Sequence, residues 1–198
     1  RSADLRAFLD AGMQATPEMR VVTFTLRERL ALSPMEIVPS LAFAPWAIPA
    51  LVAIAVLGGS IGSGGFAPMV AFMALFPATL MFALAVLAGA VLTPALLPLL
   101  PGRAFTVKGA VAGALLAVLG LLALPGMLGL MSPWGWAAVV LAVAAGASYI
   151  AVNFTGATPY TSPSGVELEL RRALPVEVTA LAVALVCWAV AWATRIGS

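Results

Sequence analysis

The side chains of this sequence that could bind a ligand are concentrated in residues 153–165, which combine amide and hydroxyl groups with glycine and proline. Such a stretch could hydrogen-bond a polar ligand or dock a soluble domain, as functional loops do. The same residue types are common turn formers, so an ordinary loop is the alternative interpretation. The candidate binding or docking residues are Asn153, Thr155, Gly156, Thr158, Tyr160, Thr161, Ser162, Ser164 and Gly165, with hydrogen bonds expected first from Tyr160, Thr161 and Ser162.

Two carboxylates, Glu36 and Glu177, each stand two residues after a proline that begins an apolar run. A helix N-terminus stabilises a negative charge, which is the simpler explanation of both positions. A proton relay or an ion site is the alternative, although no predicted span has a charge near its middle. Glu167 and Arg171 are spaced for an i,i+4 ion pair. The residues expected at the cytosolic interface are Glu36, Glu167, Arg171, Arg172 and Glu177.

Several kinds of chemistry are excluded within this chain because it contains no histidine and a single cysteine, Cys187. Disulfides, Cys/His zinc sites and cysteine-ligated iron–sulfur clusters all need more of these residues. Residues 58–62 match the G-x-S-x-G pattern of a nucleophile elbow, but without histidine a triad has no base, so we interpret residues 58–65 as a loop. A net charge of +2 without a basic run gives no reason to expect nucleic acid binding.

The composition predicts an all-α membrane protein. Of the 198 residues, 63% are hydrophobic and 9% are charged, with a mean hydropathy of +1.09, whereas soluble domains carry about 25% charged residues. Charged residues are absent between Glu36 and Arg103, between Lys108 and Glu167, and between Glu177 and Arg195. These stretches would leave a soluble fold without a charged surface, so we expect lipid to solvate them.

We predict a five-helix transmembrane bundle in residues 34–198, since five apolar runs approach the ~20 residues that a bilayer requires. The predicted spans are about 34–57, 68–92, 106–124, 133–152 and 175–194. Gly109 and Gly113 form a small-xxx-small pattern that suits close helix packing. Residues 165–173 are expected to form a short interfacial helix that ends before Pro175.

Residues 1–33 are the one stretch with soluble character. Leu5, Phe8 and Leu9 predict the end of an amphipathic helix, and Thr16-Pro17-Glu18 predicts a capped turn. Residues 21–26 are β-prone, and Ser33 is a candidate cap for the first span. The segment is too short to fold alone, so we expect it to complete a soluble domain upstream.

The basic residues predict the orientation of the bundle. With the N-terminus in the cytosol, residues 1–36, 93–108 and 153–177 hold nine of the ten basic residues, and the other side holds only Arg195. Cytoplasmic loops of membrane proteins carry such an excess. The sequence therefore predicts a multi-pass protein of the cytoplasmic (inner) membrane with a cytosolic N-terminus.

Two segments resemble a known family. Residues 153–166, Asn-Phe-Thr-Gly-Ala-Thr-Pro-Tyr-Thr-Ser-Pro-Ser-Gly-Val, with Glu169, Arg171 and Pro175 after them, are similar to a motif of the corrinoid iron–sulfur protein family of acetyl-CoA synthesis, the gamma-subunit family of carbon monoxide dehydrogenase–acetyl-CoA synthase. Residues 15–20, 24–30 and 33–36 look like the end of that family's corrinoid-binding domain. Within the family, a membrane tail of five helices resembles the mercury-methylating branch.

The resemblance implies a function for each part of the chain. Residues 1–33 would be the C-terminal remnant of a cytosolic corrinoid-binding domain with its linker, and residues 34–198 a membrane anchor and docking domain. It implies a cobamide (corrinoid) held by the upstream domain, a methyltransferase reaction that turns Hg(II) into methylmercury, and a small ferredoxin-like iron–sulfur partner. The family's cysteine-bearing cap-helix motif is absent from this sequence. We therefore expect no catalytic residue, metal or cofactor site in this chain alone.

Two other functions are compatible with the sequence. Proline-rich membrane helices can line cavities, which is typical of a small transporter or channel. A purely structural anchor would need no ligand contact. Solute uptake would identify the first alternative, and retained activity after exchange of all five spans would identify the second.

Overall fold

The computed structural model describes residues 4–20, 24–63, 68–123, 131–156 and 163–196, with the side chains of 58–63, 68–74, 154–156, 163 and 195–196 outside the description. Within these ranges every long element is a helix. The helices are α1 (Leu5–Asp10), α2 (Leu26–Ala31), α3 (Ser33–Ser63), α4 (Pro68–Val86), α5 (Phe105–Ala123), α6 (Pro133–Gly156) and α7 (Pro163–Ile196). A 3-10 turn covers Glu18–Arg20, and α4 continues through a π-helical segment, Leu87–Leu92, into a last turn, Thr93–Ala95.

In the part of the chain that the structure describes, five segments are long and apolar enough to cross a membrane, as the sequence predicts. They are Leu26–Leu57, Leu75–Ala95, Phe105–Ala123, Pro133–Asn153 and Ser164–Thr194. Each has at least 19 residues, which at 1.5 Å per residue matches a hydrocarbon core of about 30 Å. The prediction of an all-α, five-helix membrane fold is confirmed.

Helix α6 is the centre of the bundle. Half of the residues in its 18-residue apolar stretch are buried inside the protein, whereas none of those in the corresponding stretch of the first span are buried. It contacts α3, α4, α5 and α7, and its residues Ala147 and Ala151 are fully buried. Because alanine adds so little volume, neighbouring helices can approach this central helix closely.

The close approach of α5 to α6 depends on two glycines. A Cβ added at Gly109 would lie 2.5 Å from Ala151 Cβ, and one added at Gly113 would lie 2.7 Å from Ala147 Cβ. Both distances are shorter than van der Waals contact allows, so no larger residue fits without moving a helix. The prediction that the small-xxx-small pattern packs helices together is confirmed.

The end of α4 contains the π-helical segment because Pro94 lacks an N–H and its ring interferes with the carbonyl four residues earlier. The Thr93 hydroxyl donates to the Ala88 carbonyl at 2.8 Å, which the Thr93 N–H also bonds. Thr93 and Pro94 are fully buried. The helix ends at Ala95, and Leu100 still packs in the core beside Ala88 and Ala112.

Two predicted loops or breaks are helical instead. Residues 58–63 continue α3, and α7 runs unbroken through Pro175, so no separate interfacial helix ends there. Glycine and proline end helices in water, but in an apolar environment the backbone needs every internal hydrogen bond, which favours continued helix. Residues 64 and 65 lie outside the described ranges.

The N-terminal segment follows the predictions in part. Helix α1 forms, and Thr16 Oγ1 accepts a hydrogen bond from Met19 N at 3.4 Å. The β-prone interpretation is wrong at Leu26, where α2 begins, while residues 21–23 lie outside the described ranges. A capping box between Thr25 and Glu28 starts α2 and explains the difference.

Ser33 does not act as the predicted cap. Its hydroxyl is buried and has no hydrogen-bond partner among the described residues. Because α2 already begins at Leu26 and passes through Leu32 almost directly into α3, the start of the apolar helix needs no cap at Ser33.

Candidate functional site

One end of the bundle is held together by a buried arginine. Arg29, on α2, is 9% exposed, and its Nη1 donates to the carbonyls of Pro94 at 3.0 Å and of Ala95 at 3.1 Å. These carbonyls stand at the end of α4, where a helix has unsatisfied acceptors and a partial negative charge. The guanidinium supplies both donors and a complementary charge, so it fixes α2 beside the end of α4.

A second contact ties α7 to the same end. Glu169 Oε1 accepts a hydrogen bond from Thr106 N at 2.7 Å, in the first turn of α5. Lys108, in the same turn, donates to the Leu97 carbonyl. The starts of α3, α5 and α7 and the ends of α4 and α6 therefore share one end of the bundle, which we call the loop end. It contains Arg29, the end of α4 and the start of α5 around residues 94–108, and Glu169, which belong to the three segments predicted to be cytosolic, while the side of the membrane it faces stays a prediction.

Replacing Arg29 by methionine should release α2 from the loop end. Methionine keeps much of the side-chain length but cannot donate to the carbonyls of Pro94 and Ala95, so we expect a local loss of about 1 kcal/mol. Faster protease cleavage of residues near α2, with unchanged global unfolding, would measure this loss. Arg27→Met is the matched control, since Arg27 is exposed; equal cleavage of the two variants would contradict the prediction.

The stretch 153–165 is shorter as a loop than predicted. Asn153 and Gly156 belong to the last turns of α6, and Ser164 and Gly165 to the first turn of α7. Asn153, Ser164 and Gly165 are exposed. The candidate residues Thr158, Tyr160, Thr161 and Ser162 lie outside the described residues, and so does the side chain of Thr155.

The predicted interfacial charges separate into two groups. Glu167 and Arg171 form the predicted ion pair at 2.8 Å, with side chains 64% and 76% exposed, and Arg172 is exposed beside them. Glu36 lies in the first turn of α3, as expected for a carboxylate at a helix N-terminus. An exposed pair of this kind adds little stability, so Glu167, Arg171 and Arg172 form a solvated face at the loop end, whereas Glu36 is half-buried.

Glu177 differs from the prediction. Helix α7 begins at Pro163, so Glu177 lies near its middle and not at a helix N-terminus. Its side chain is 6% exposed, and Oε1 accepts a hydrogen bond from Ser148 Oγ, on α6, at 2.7 Å. Oε2 is buried without a hydrogen-bond partner among the described residues. Because α7 is longer than a membrane span and Glu177 follows the exposed Arg171 by only six residues, the buried carboxyl lies close to the loop end and not near the middle of the span.

Ser148 is a polar residue that the sequence analysis missed. The available signal was spacing: Glu177 shares one stripe of α7 with Ala184, Cys187 and Ala191, all buried, at intervals of seven, three and four residues. That periodicity places Glu177 on the face that packs against α6. A buried carboxyl there needs a hydrogen-bond partner, and Ser148 is that partner.

A cleft of about 740 Å³ lies between α3, α4, α6 and α7. Its walls are mostly apolar, and its polar lining consists of Glu36, Ser40, Tyr149 and Asn153. Its volume is within the range of ligand-binding pockets. The sequence alone does not predict this cleft, because the cleft forms only from the relative positions of four helices.

Two further observations bear on function. Among residues 4–20, 24–63, 68–123, 131–156 and 163–196, no three acidic or cysteine residues come together as metal ligands. No protein-family model matches this chain, and no curated protein or solved structure is detectably similar to it.

Proposed function

We propose that this chain is the membrane anchor and docking domain of a cobamide-dependent methyltransferase that methylates Hg(II). The cobamide would be bound by a cytosolic domain upstream, and a small ferredoxin-like protein would supply electrons to it. In this proposal Hg(II) is the substrate, and the present chain positions the upstream domain at the membrane and does not take part in the chemical step.

One observation carries the proposal. The two segments that resemble the corrinoid protein family are far apart in the sequence, yet one is bonded to the end of α4 and the other to the start of α5. Arg29 bonds to Pro94 and Ala95, and Glu169 bonds to Thr106. Arg29 and Glu169, the described residues of the two segments that make these contacts, therefore lie at the same end of the bundle, which is what a docking surface for the upstream domain requires.

The described residues at the loop end can orient such a domain. Arg29 fixes α2, and thereby the chain that leads to the upstream domain, beside the exit of α4. Exposed Asn153 and the Glu167/Arg171 pair flank the connection between α6 and α7. A soluble domain tethered by α2 would thus be held at high effective concentration near Asn153 and the Glu167/Arg171 pair.

Removing the hydroxyls of the loop in the intact protein tests the proposal. We expect Thr155→Ala, Thr161→Ala and Ser162→Ala together to lower Hg(II) methylation about tenfold, the effect of losing roughly 1.4 kcal/mol of docking energy. The paired substitutions Thr79→Ala and Thr194→Ala are the control, since both remove exposed hydroxyls within spans. Unchanged methylation together with unchanged corrinoid retention would refute docking at this loop.

Exchange of the spans distinguishes docking from passive anchoring. If all five spans are replaced by unrelated helices and the upstream domain is kept, we expect methylation to fall although the protein remains in the membrane. Full activity of the exchanged protein would establish a purely structural anchor instead.

A small transporter is the second candidate, and one observation favours it. Glu177 and Ser148 form a buried polar pair inside a bundle that also contains a cleft, and ionisable residues inside membrane spans often mark ion or solute pathways. Vesicles that contain this chain alone should take up no solute under the docking proposal. Uptake that is lost in Glu177→Leu would favour the transporter.

A further inference from the structure

The cleft between α3, α4, α6 and α7 runs along the bundle axis. Its lining extends on α3 from Glu36 to Ala55 and on α6 from Asn153 back to Ala138. At 1.5 Å per residue the α3 wall is about 28 Å long, close to the ~30 Å thickness of a hydrocarbon core. A narrow slot of this length fits an extended acyl chain better than a compact solute.

The cleft opens towards the outer surface of the bundle. The lining residues Phe43, Tyr149 and Leu185 are 64%, 47% and 46% exposed. In a membrane this opening faces acyl chains, and an apolar cavity does not fill stably with water. Its occupant must therefore present an apolar surface and be able to enter sideways from the bilayer.

The polar lining lies at the loop end of the cleft. Glu36 precedes Ile37, which packs against the cluster of Val86, Ala90 and Ile150, and Asn153 follows Ile150 by one turn of α6. Ser40 donates its hydroxyl to the Glu36 carbonyl, which leaves the Glu36 carboxylate, the Asn153 amide and the Tyr149 hydroxyl as polar groups that an occupant can meet. Of the residues described around the cleft, none is lysine or arginine. An occupant whose polar end donates hydrogen bonds or is cationic is complementary to this end, and a purely anionic head group is not.

We propose that the cleft binds one phospholipid with an ethanolamine head group, its ammonium at Glu36 and Asn153 and one acyl chain along the slot. The site shares Glu36 and Asn153 with the proposed docking face, but lipid retention is measured separately from methylation, so failure of this proposal is distinguishable from failure of the corrinoid proposal. A bound lipid would fill the space between α3 and the central helix α6. In the first span, none of the residues in the 18-residue apolar stretch are buried by the protein itself.

Native mass spectrometry of the full chain tests the site, after reconstitution in vesicles of equal parts phosphatidylethanolamine and phosphatidylglycerol. We expect one retained phosphatidylethanolamine per chain. Ala47→Trp fills the cleft from α3 and should abolish retention, while Ala53→Trp, on the same helix but outside the lining, should leave it unchanged. Glu36→Gln should reduce the preference for phosphatidylethanolamine about tenfold, because it removes the charge from the hydrogen bond to the ammonium.

Three results would overturn the proposal. Equal retention of the two lipids by the unaltered chain would show nonspecific annular binding. Retention that survives Ala47→Trp in a chain that keeps its helical circular dichroism would place the lipid elsewhere. A dimer that forms without lipid and is broken by Ala47→Trp would identify a second copy of the chain as the occupant.

Discussion

Replacing Gly113 by valine should destabilise the bundle by about 3 kcal/mol or more, the upper range for overpacking of a tight interior. A Cβ at this position would lie 2.7 Å from Ala147 Cβ and 2.9 Å from the Val143 carbonyl oxygen. The carbonyl belongs to the backbone of α6 and cannot move without displacing the central helix. Valine therefore forces α5 away from α6 along their whole contact.

Thermal unfolding in detergent micelles, followed by circular dichroism, measures this effect. Gly120→Val is the matched control, since Gly120 lies on the same helix and its added Cβ would meet only Leu84 Cδ1, at 3.6 Å. The control also corrects for the difference in helix propensity between glycine and valine. Equal melting temperatures for the two variants would contradict the close packing of α5 on α6.

Replacing Ser148 by alanine should cost about 1–3 kcal/mol, the penalty for leaving a buried polar group unsatisfied. Among the described residues, the Ser148 hydroxyl is the only group that donates a hydrogen bond to the Glu177 carboxyl. Unfolding of the variant in micelles measures the cost directly. Thr179→Ala is a suitable control, because the Thr179 hydroxyl is exposed and donates only to the Pro175 carbonyl of the same helix.

The double variant Ser148→Ala with Glu177→Leu distinguishes the net stability contributed by the pair from the cost of leaving one partner unsatisfied. Replacing both partners of a buried polar pair with apolar groups is often neutral or stabilising. We expect the double variant to regain most of the stability that Ser148→Ala loses, and Glu177→Gln alone to change little, since its amide oxygen still accepts from Ser148. A double variant less stable than Ser148→Ala would contradict this account of the pair.

The sequence predicted the five helices because that prediction depends on composition and length alone. Uncharged runs of about 20 residues must be solvated by lipid, and in lipid they must be helical. The same reasoning explains the errors. The predictions of a loop at Gly58 and a helix break at Pro175 apply the rules for helix ends in water. In the structure α3 continues to Ser63 and α7 runs through Pro175.

The candidate site could be predicted only in part. Residues close in sequence, such as Glu167 and Arg171, interact as their spacing predicts. Contacts between distant segments could not be foreseen, because they depend on how the helices are arranged: Arg29 with Pro94, Thr106 with Glu169, and Ser148 with Glu177. These contacts gather at the loop end or inside the bundle, where a single sequence gives no register between helices.

The topology of the bundle is tested most directly by cysteine labelling in a Cys187→Ala background. Single cysteines in place of Arg103, Arg171 and Ser132 would be treated with a membrane-impermeant maleimide in intact cells and in inverted vesicles. Five spans with a cytosolic loop end predict that Arg103→Cys and Arg171→Cys react only in inverted vesicles, and Ser132→Cys only in intact cells. Reaction of the first two from opposite sides of the membrane would contradict the arrangement on which the proposed docking face depends.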